Sequence, residues 1–228
     1  MEVLKLSTYV TSDIHGCYDL YLKMLDLIKF SNTDSLYIIW DVFDRGDKTL
    51  ELIEHIRNHS NIYLLKGNHE QIFEQYFETK KATLWIMNGG RSTYEKLMKL
   101  GFKYQSELYD YIKSLPFIKV IDKFILVHAG LSLPMNLNKF KIDELISIQQ
   151  EDLCLWSSNI GVERAFKDYT IICGHNTVQS ITMNNDDIKI LYREGTIYID
   201  CGCCFKDSNG KLACLRLDDM KEFYVENY

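Results

Sequence analysis

Two hydrophobic periods alternate along the first third of the chain. "LSTYVTSD" (residues 6–13) reads as a buried strand ending on a carboxylate, and "CYDLYLKMLDLIKF" (17–30) repeats apolar residues at helical spacing. "SLYIIWD" predicts a second strand, "KTLELIEHIRNH" a helix, "NIYLLKGN" a third strand, and "HEQIFEQYFETK" another helix. The order β-α-β-α-β-α predicts a parallel sheet, and in such sheets ligands gather beyond the carboxyl ends of the strands. From Ala82 to about Leu115 the pattern is helical and predicts a small cap over that edge.

The second half changes period. "PFIKVI", "KFILVHAG", "YTIICGHN", "IKILYRE", "TIYIDCGC", "KLACLRLDD" and "EFYVEN" are short strand-like runs separated by turn residues, as in hairpins or meanders. Two sheets packed face to face with helices outside accommodate both halves.

The residues that end these strands are chemically selective. Asp13 and His15 stand in "SDIHG", Asp41 in "WDVFDRG", Asn68 and His69 in "GNHE", His128 in "VHAG" and His175 in "CGHN". Any one histidine at a strand end reads more simply as a hydrogen-bonded structural residue. Five such clusters in order, each after an apolar run, point instead to one shared site. Carboxylate, imidazole and amide oxygen suit manganese, iron or zinc, and a pair of cations bridged by one carboxylate is the natural arrangement.

Composition narrows the partners. The 228 residues, 46% hydrophobic, suffice for one domain spanning 1–228, and only two prolines interrupt the chain. The formal net charge is −6 with no basic run, so neither nucleic acid nor an anionic membrane is an expected partner. No apolar stretch reaches membrane-spanning length, and the opening "MEVLKLSTYVTSD" carries Glu2 and lacks a long apolar region, so a cytoplasmic location is expected. Seven cysteines fit reduced thiols. Cys201 and Cys204 in "CGCC" have C-x-x-C spacing, but without a second pair or a flanking histidine buried strand cysteines are the better reading.

Taken together, "D-x-H-G", "D-x-x-D-R-G", "G-N-H-E", "H-A-G" and "G-H" resemble the phosphoprotein phosphatase family of calcineurin-like metallophosphoesterases, in particular its small bacterial and bacteriophage lambda-type serine/threonine phosphatases. The resemblance runs from Tyr9 to the "YIDCG" and "GKLACLRLDD" segments. It implies an α/β (α+β) fold, the four-layer αββα sandwich with two mixed sheets. It also implies two divalent metal ions, manganese first with iron or zinc as alternatives. Asp13 and His15 would hold one ion, Asp41 would bridge, and Asn68, His128 and His175 would complete the second site. A metal-bridging hydroxide would attack the phosphorus directly, without a covalent enzyme intermediate. His69 would protonate the leaving oxygen, Asp44 would pair with His69, and Arg45, with Asn68 and His69, would bind the phosphate.

Phosphoserine or phosphothreonine in protein, or a small phosphoester, is the substrate class so implied. A bis(5'-nucleosyl)-tetraphosphatase is the alternative enzyme, because it shares the metal motifs. There are four departures from the family pattern. Ser12 and Trp40 replace glycines before Asp13 and Asp41. Ser157 and Ser158 follow Trp156 where a second phosphate-binding arginine is expected, leaving Arg164 or Arg91 as substitutes. Asn176 follows His175. An indole directly before the bridging aspartate would either crowd the metals, leaving a phosphate- or partner-binding module, or face the opposite side of the sheet by strand alternation and serve as core.

Overall fold

The computed structural model describes residues 6–227; the opening residues with Glu2 lie outside them. Two five-stranded sheets carry the fold. The first has the order β10-β9-β1-β2-β3, formed by Thr8–Ser12 (β1), Ser35–Ile39 (β2), Ile62–Leu64 (β3), Lys211–Arg216 (β9) and Lys221–Glu226 (β10). The second has the order β4-β5-β6-β8-β7, from Ile118–Ile121 (β4), Phe124–Val127 (β5), Thr170–Cys173 (β6), Leu191–Arg193 (β7) and Thr196–Tyr198 (β8). Helices Tyr18–Leu27 (α1), Thr49–Arg57 (α2) and Asn68–Thr79 (α3) follow the first three strands, as their hydrophobic periods predict.

Strand alternation divides the interior into two cores. Tyr9, Leu36 and Ile38 turn one way, onto Met24, Leu52, Ile56 and Phe73 of the helices. Val10, Ile39 and Leu215 turn the other way, onto Ile125, Val127, Ile172 and Ile197 of the second sheet. All four residues of β5 are buried, which requires cover on both of its faces. Helix, sheet, sheet and outer cover together form the sandwich that the resemblance implies.

The second half is less hairpin-like than its sequence suggests. Pairs β4–β5, β7–β8 and β9–β10 are antiparallel, but β5, β6 and β8 run parallel. The last hairpin returns to the first sheet, where β9 pairs antiparallel with β1. The parallel neighbours are joined by crossovers containing Ile142–Ser147 (α6), Glu151–Trp156 (α7) and Val178–Thr182 (α8), each too short for an amphipathic period to stand out. One consequence governs the site: β1, β2 and β3 in one sheet and β5, β6 and β8 in the other direct their carboxyl ends toward shared loops.

Residues 83–113 are helical in three pieces: Thr83–Trp85 (α4), a π-type turn at Ile86–Gly90, and Arg91–Lys113 (α5), which is broken at Gly101 by a φ of 77°. Among the described residues no helix is long and apolar enough to cross a membrane. The seven cysteines are free thiols, Cys201 and Cys203 buried and Cys204 half-buried.

Candidate metal centre

Beyond Ser12 and Ile39 the chain leaves the β conformation abruptly. Asp13, His15, Trp40, Asp41, Asp44, Arg45 and His175 all have positive φ, between 45° and 80°. Left-handed backbone costs a non-glycine residue about 1–2 kcal/mol, so a concentration of it at one locus marks a place where side-chain direction is favoured over local comfort. The turns are tied across the strands: the amides of Asp13, His15 and Gly16 donate to the carbonyls of Trp40, Asp41 and Val42 at 3.0, 2.7 and 2.9 Å.

Glu70, buried on the first turn of α3, binds the second loop. It accepts from the amides of Val42 (3.0 Å), Phe43 (3.2 Å), Asp41 (3.3 Å) and Gly67 (2.9 Å). Burial and the nearby Asp41 push its carboxyl up to about 8, against the lowering effect of those donors. Gly67 is required here by space: a Cβ would lie 2.3 Å from Asp41 Oδ1 and 2.7 Å from Glu70 Oε2.

The strand-end residues converge. Asp41 Oδ2 lies 3.6 Å from His15 Nε2 and 3.6 Å from His128 Nε2. His128 Nε2 is 2.7 Å from Asn68 Oδ1 and 3.1 Å from His175 Nδ1. Ligand atoms of His15, Asp41 and His69, and separately of Asp41, His128 and His175, lie within 4.8 Å of one another, so Asp41 belongs to both groups. Asp13 stands just outside the two triads, its carboxylate oxygens each accepting from the His175 amide at 3.2 Å.

The donor set fits divalent cations. The groups gathered here are buried or half-buried imidazoles and carboxylates, the donors that hold such ions. His15 Nδ1 lies 2.8 Å from the Phe43 carbonyl, which can only accept; Nδ1 therefore carries the proton and Nε2 keeps its lone pair for the centre. Burial lowers the basicity of His15 and His175 and brings His128 down to about 3. Burial raises Asp41, but His128, His69, His15 and His175 outweigh it and hold the carboxyl low. Asp13 is raised by burial and by the neighbouring Asp200 and Asp41 carboxylates, the concentration of negative charge that a cation relieves.

At the mouth, His69 Nδ1 donates to Asp44 Oδ2 at 2.7 Å, both residues being buried. Arg45 reaches His15 Nε2 (2.9 Å) and His69 Nε2 (3.3 Å), and its guanidinium lies 5.3 Å from the centre of the Phe205 ring. Arg164 is elsewhere, donating to the Leu133 and Pro134 carbonyls, and Arg91 is exposed beside Glu95.

A model of the family "Calcineurin-like phosphoesterase" matches residues 6–202, most of the chain. The chain belongs to that family. This calcineurin-like phosphoesterase is 33% identical over 126 residues to serine/threonine-protein phosphatase 2 of Salmonella typhimurium, covering 53% of this chain and 57% of that protein. It is 25% identical over 222 residues to the symmetrical bis(5'-nucleosyl)-tetraphosphatase of Buchnera aphidicola subsp. Baizongia pistaciae, covering 93% of this chain and 65% of that protein. The chain thus spans less than two thirds of either relative. A solved structure of a candidate diadenosine tetraphosphatase has the same fold, with a TM-score of 0.69 at 16% identity over 100% of this chain and 96% of that one.

Three site residues escape the sequence reading. Glu70 is the last letter of "GNHE" and follows the eye-catching histidine. Asp200 ends the strand "TIYID" with the same apolar-run-then-aspartate signature as Asp13 and Asp41; burial pushes it up to about 6, and it accepts from the Gly202 amide at 2.8 Å. Trp85 bonds Asp44 from a segment whose sequence period says only "helix".

Trp40 needs correction. Alternation does not place it opposite Asp41, because β2 ends at Ile39 and both residues are left-handed. The positive φ of 80° instead keeps the indole in the inter-sheet core with Ile39, fully buried and edge-on to His128, ring centres 5.5 Å apart. Trp40→Gly therefore deletes a core ring while relieving backbone strain. The expected net loss is about 2–4 kcal/mol in urea unfolding, with manganese-dependent p-nitrophenyl phosphate hydrolysis changed by no more than a few-fold. A variant as stable as the parent and much more active would show that the indole obstructs the site.

Proposed function

We propose that this phosphoesterase is a binuclear metal-dependent phosphatase that hydrolyses phosphomonoesters, with phosphoserine or phosphothreonine in proteins as the favoured substrate. The observation that carries the reading is the shared carboxylate: Asp41 Oδ2 equidistant from His15 and His128, with Arg45 and the His69–Asp44 pair at the opening.

Asp13, His15 and Asp41 would hold one ion, and Asp41, Asn68, His128 and His175 the other; manganese suits these ligands, with iron or zinc as alternatives. When bound, such a pair acidifies water and neutralises phosphoryl oxygens. Arg45 turns its fork from the two imidazoles to the phosphate, where two parallel N–H groups match two oxygens. His69 presents Nε2 to the leaving oxygen because Nδ1 is committed to Asp44, and delivers the proton there. Burial of Trp40 beside the centre, with every ligand side chain present, favours catalysis over a binding module.

The second reading, a bis(5'-nucleosyl)-tetraphosphatase, is favoured by the match that runs along 93% of the chain. Supplying the purified, manganese-loaded protein with a phosphoserine peptide and with diadenosine tetraphosphate separates the two. Orthophosphate from the peptide with little turnover of the dinucleotide is the expected result. Nucleoside diphosphate as the dominant product would transfer the assignment to the second reading, and no turnover of either would remove both.

A further inference from the structure

The pairing of His69 with Asp44 raises the question of what holds Asp44. This carboxylate is fully buried on a left-handed residue (φ 69°), and Oδ2 is already engaged by His69. From the other side the Trp85 indole Nε1 donates to Oδ1 at 2.9 Å and to Oδ2 at 2.8 Å. An indole N–H can only donate, so both carboxylate oxygens accept from it and the contact constrains the rotation of the carboxylate.

Trp85 is itself immobilised. It is fully buried, edge-on to Phe73 (ring centres 5.5 Å apart) and Tyr94 (5.8 Å), and tilted against Tyr76 (5.1 Å). Gly90 approaches so closely that a Cβ there would sit 2.2 Å from Trp85 Cδ1 and 2.3 Å from Nε1. The same segment touches the turn a second time, its Gly89 carbonyl accepting from the Arg45 amide at 3.1 Å.

We propose that Trp85 is a positioning residue for proton donation: its indole N–H fixes the Asp44 carboxylate so that Oδ2 meets His69 Nδ1 and His69 Nε2 stays aimed at the leaving oxygen. The inference rests on the general-acid role proposed above for His69. A tryptophan serving only as core would contribute through ring volume and not through its N–H. Replacing the N–H while keeping the ring therefore decides between the two.

Trp85→Phe, and replacement of Trp85 by β-(3-benzothienyl)alanine, which preserves the bicyclic shape should phenylalanine loosen the core, are compared with the parent in metal-loaded form. The expected result is a fall in kcat of about tenfold on a phosphoserine peptide, the rate equivalent of one charge-assisted hydrogen bond, and only two- to threefold on p-nitrophenyl phosphate. KM should hold, and the benzothienyl variant should keep the unfolding midpoint closer to the parent's than Trp85→Phe does. In the zinc-loaded, diamagnetic protein the downfield proton on His69 Nδ1 should shift or broaden. Equal losses on both substrates, or an unmoved Nδ1 proton signal, would overturn the proposal. His69→Asn is measured in parallel. If it loses activity selectively on the peptide while neither Trp85 replacement does, the Trp85 role alone fails; if His69→Asn loses equally on both substrates, the general-acid reading fails and takes the Trp85 role with it.

Discussion

Asp41→Asn is expected to leave a folded protein that no longer holds a metal pair. Asparagine preserves the shape of the side chain and an oxygen for the His69 amide, which donates to Asp41 Oδ1 at 3.2 Å. It removes the charge on which both ligand groups depend. In the parent, four imidazoles together hold the Asp41 carboxyl low against the effect of burial, so it is ionised across the neutral range. A neutral amide oxygen at the point shared by His15 and His128 is a far weaker bridge between two cations. Mass spectrometry of the metals retained after gel filtration should give two per chain in the parent and at most one in Asp41→Asn. Turnover of p-nitrophenyl phosphate should fall at least about a thousandfold, corresponding to several kcal/mol of lost charge stabilisation. A variant that keeps two ions per chain would contradict the bridging role.

The ease with which Asp41 could be singled out in the sequence reflects how the fold is built. Where an apolar run stops on a polar residue, as at Ser12–Asp13, Val127–His128 and Cys173–Gly174–His175, the strand ends where a buried or half-buried polar side chain turns into the site, and candidate ligand and boundary coincide. Parallel strands bring all such ends to one edge, so local signals in both halves report one site. Asp200 carries that same signature, and its position two residues beyond β8, which runs parallel to β6, places it with the others.

What the sequence conceals is every relation that depends on pairing partners or on direction. Nothing in "KLACLRLDD" says that β9 lies against β1 at the far end of the chain, because an amphipathic strand fits either sheet. At Trp40 the core alternative holds but alternation is not its reason, because alternation applies only while the backbone remains extended and β2 ends at Ile39. Glu70 and Trp85 act through hydrogen bonds to a loop 27 to 41 residues away in sequence, distances over which periodicity carries no information. Arg164, a plausible phosphate ligand by charge alone, spends its guanidinium on the Leu133–Pro134 carbonyls.

His69→Asn should separate substrates by their leaving groups. Burial disfavours the imidazolium, but the Asp41 charge and then the bond and charge of Asp44 outweigh it, so the His69 pKa lies above its ordinary value. Asp44 is the partner that remains once the charge of Asp41 is shared with cations. The sign of the pH effect follows. The acid form of His69 is lost as pH rises through the raised value, so turnover of a phosphoserine peptide should fall on that alkaline limb. Asparagine can bond to Asp44 but cannot deliver a proton. Its peptide turnover should fall about 10²–10⁴-fold and lose the limb, whereas p-nitrophenolate departs without protonation and its release should fall by less than about tenfold. Metal content should stay at two per chain if, as proposed, Asn68 and not His69 supplies the ligand from this turn. The decisive comparison is therefore the ratio of the two losses across pH: a large ratio that shrinks at alkaline pH, as the parent too loses its acid, assigns the proton to His69. A ratio near one at every pH would make the histidine a phosphate-binding group beside Arg45 and leave the leaving oxygen to be protonated by solvent.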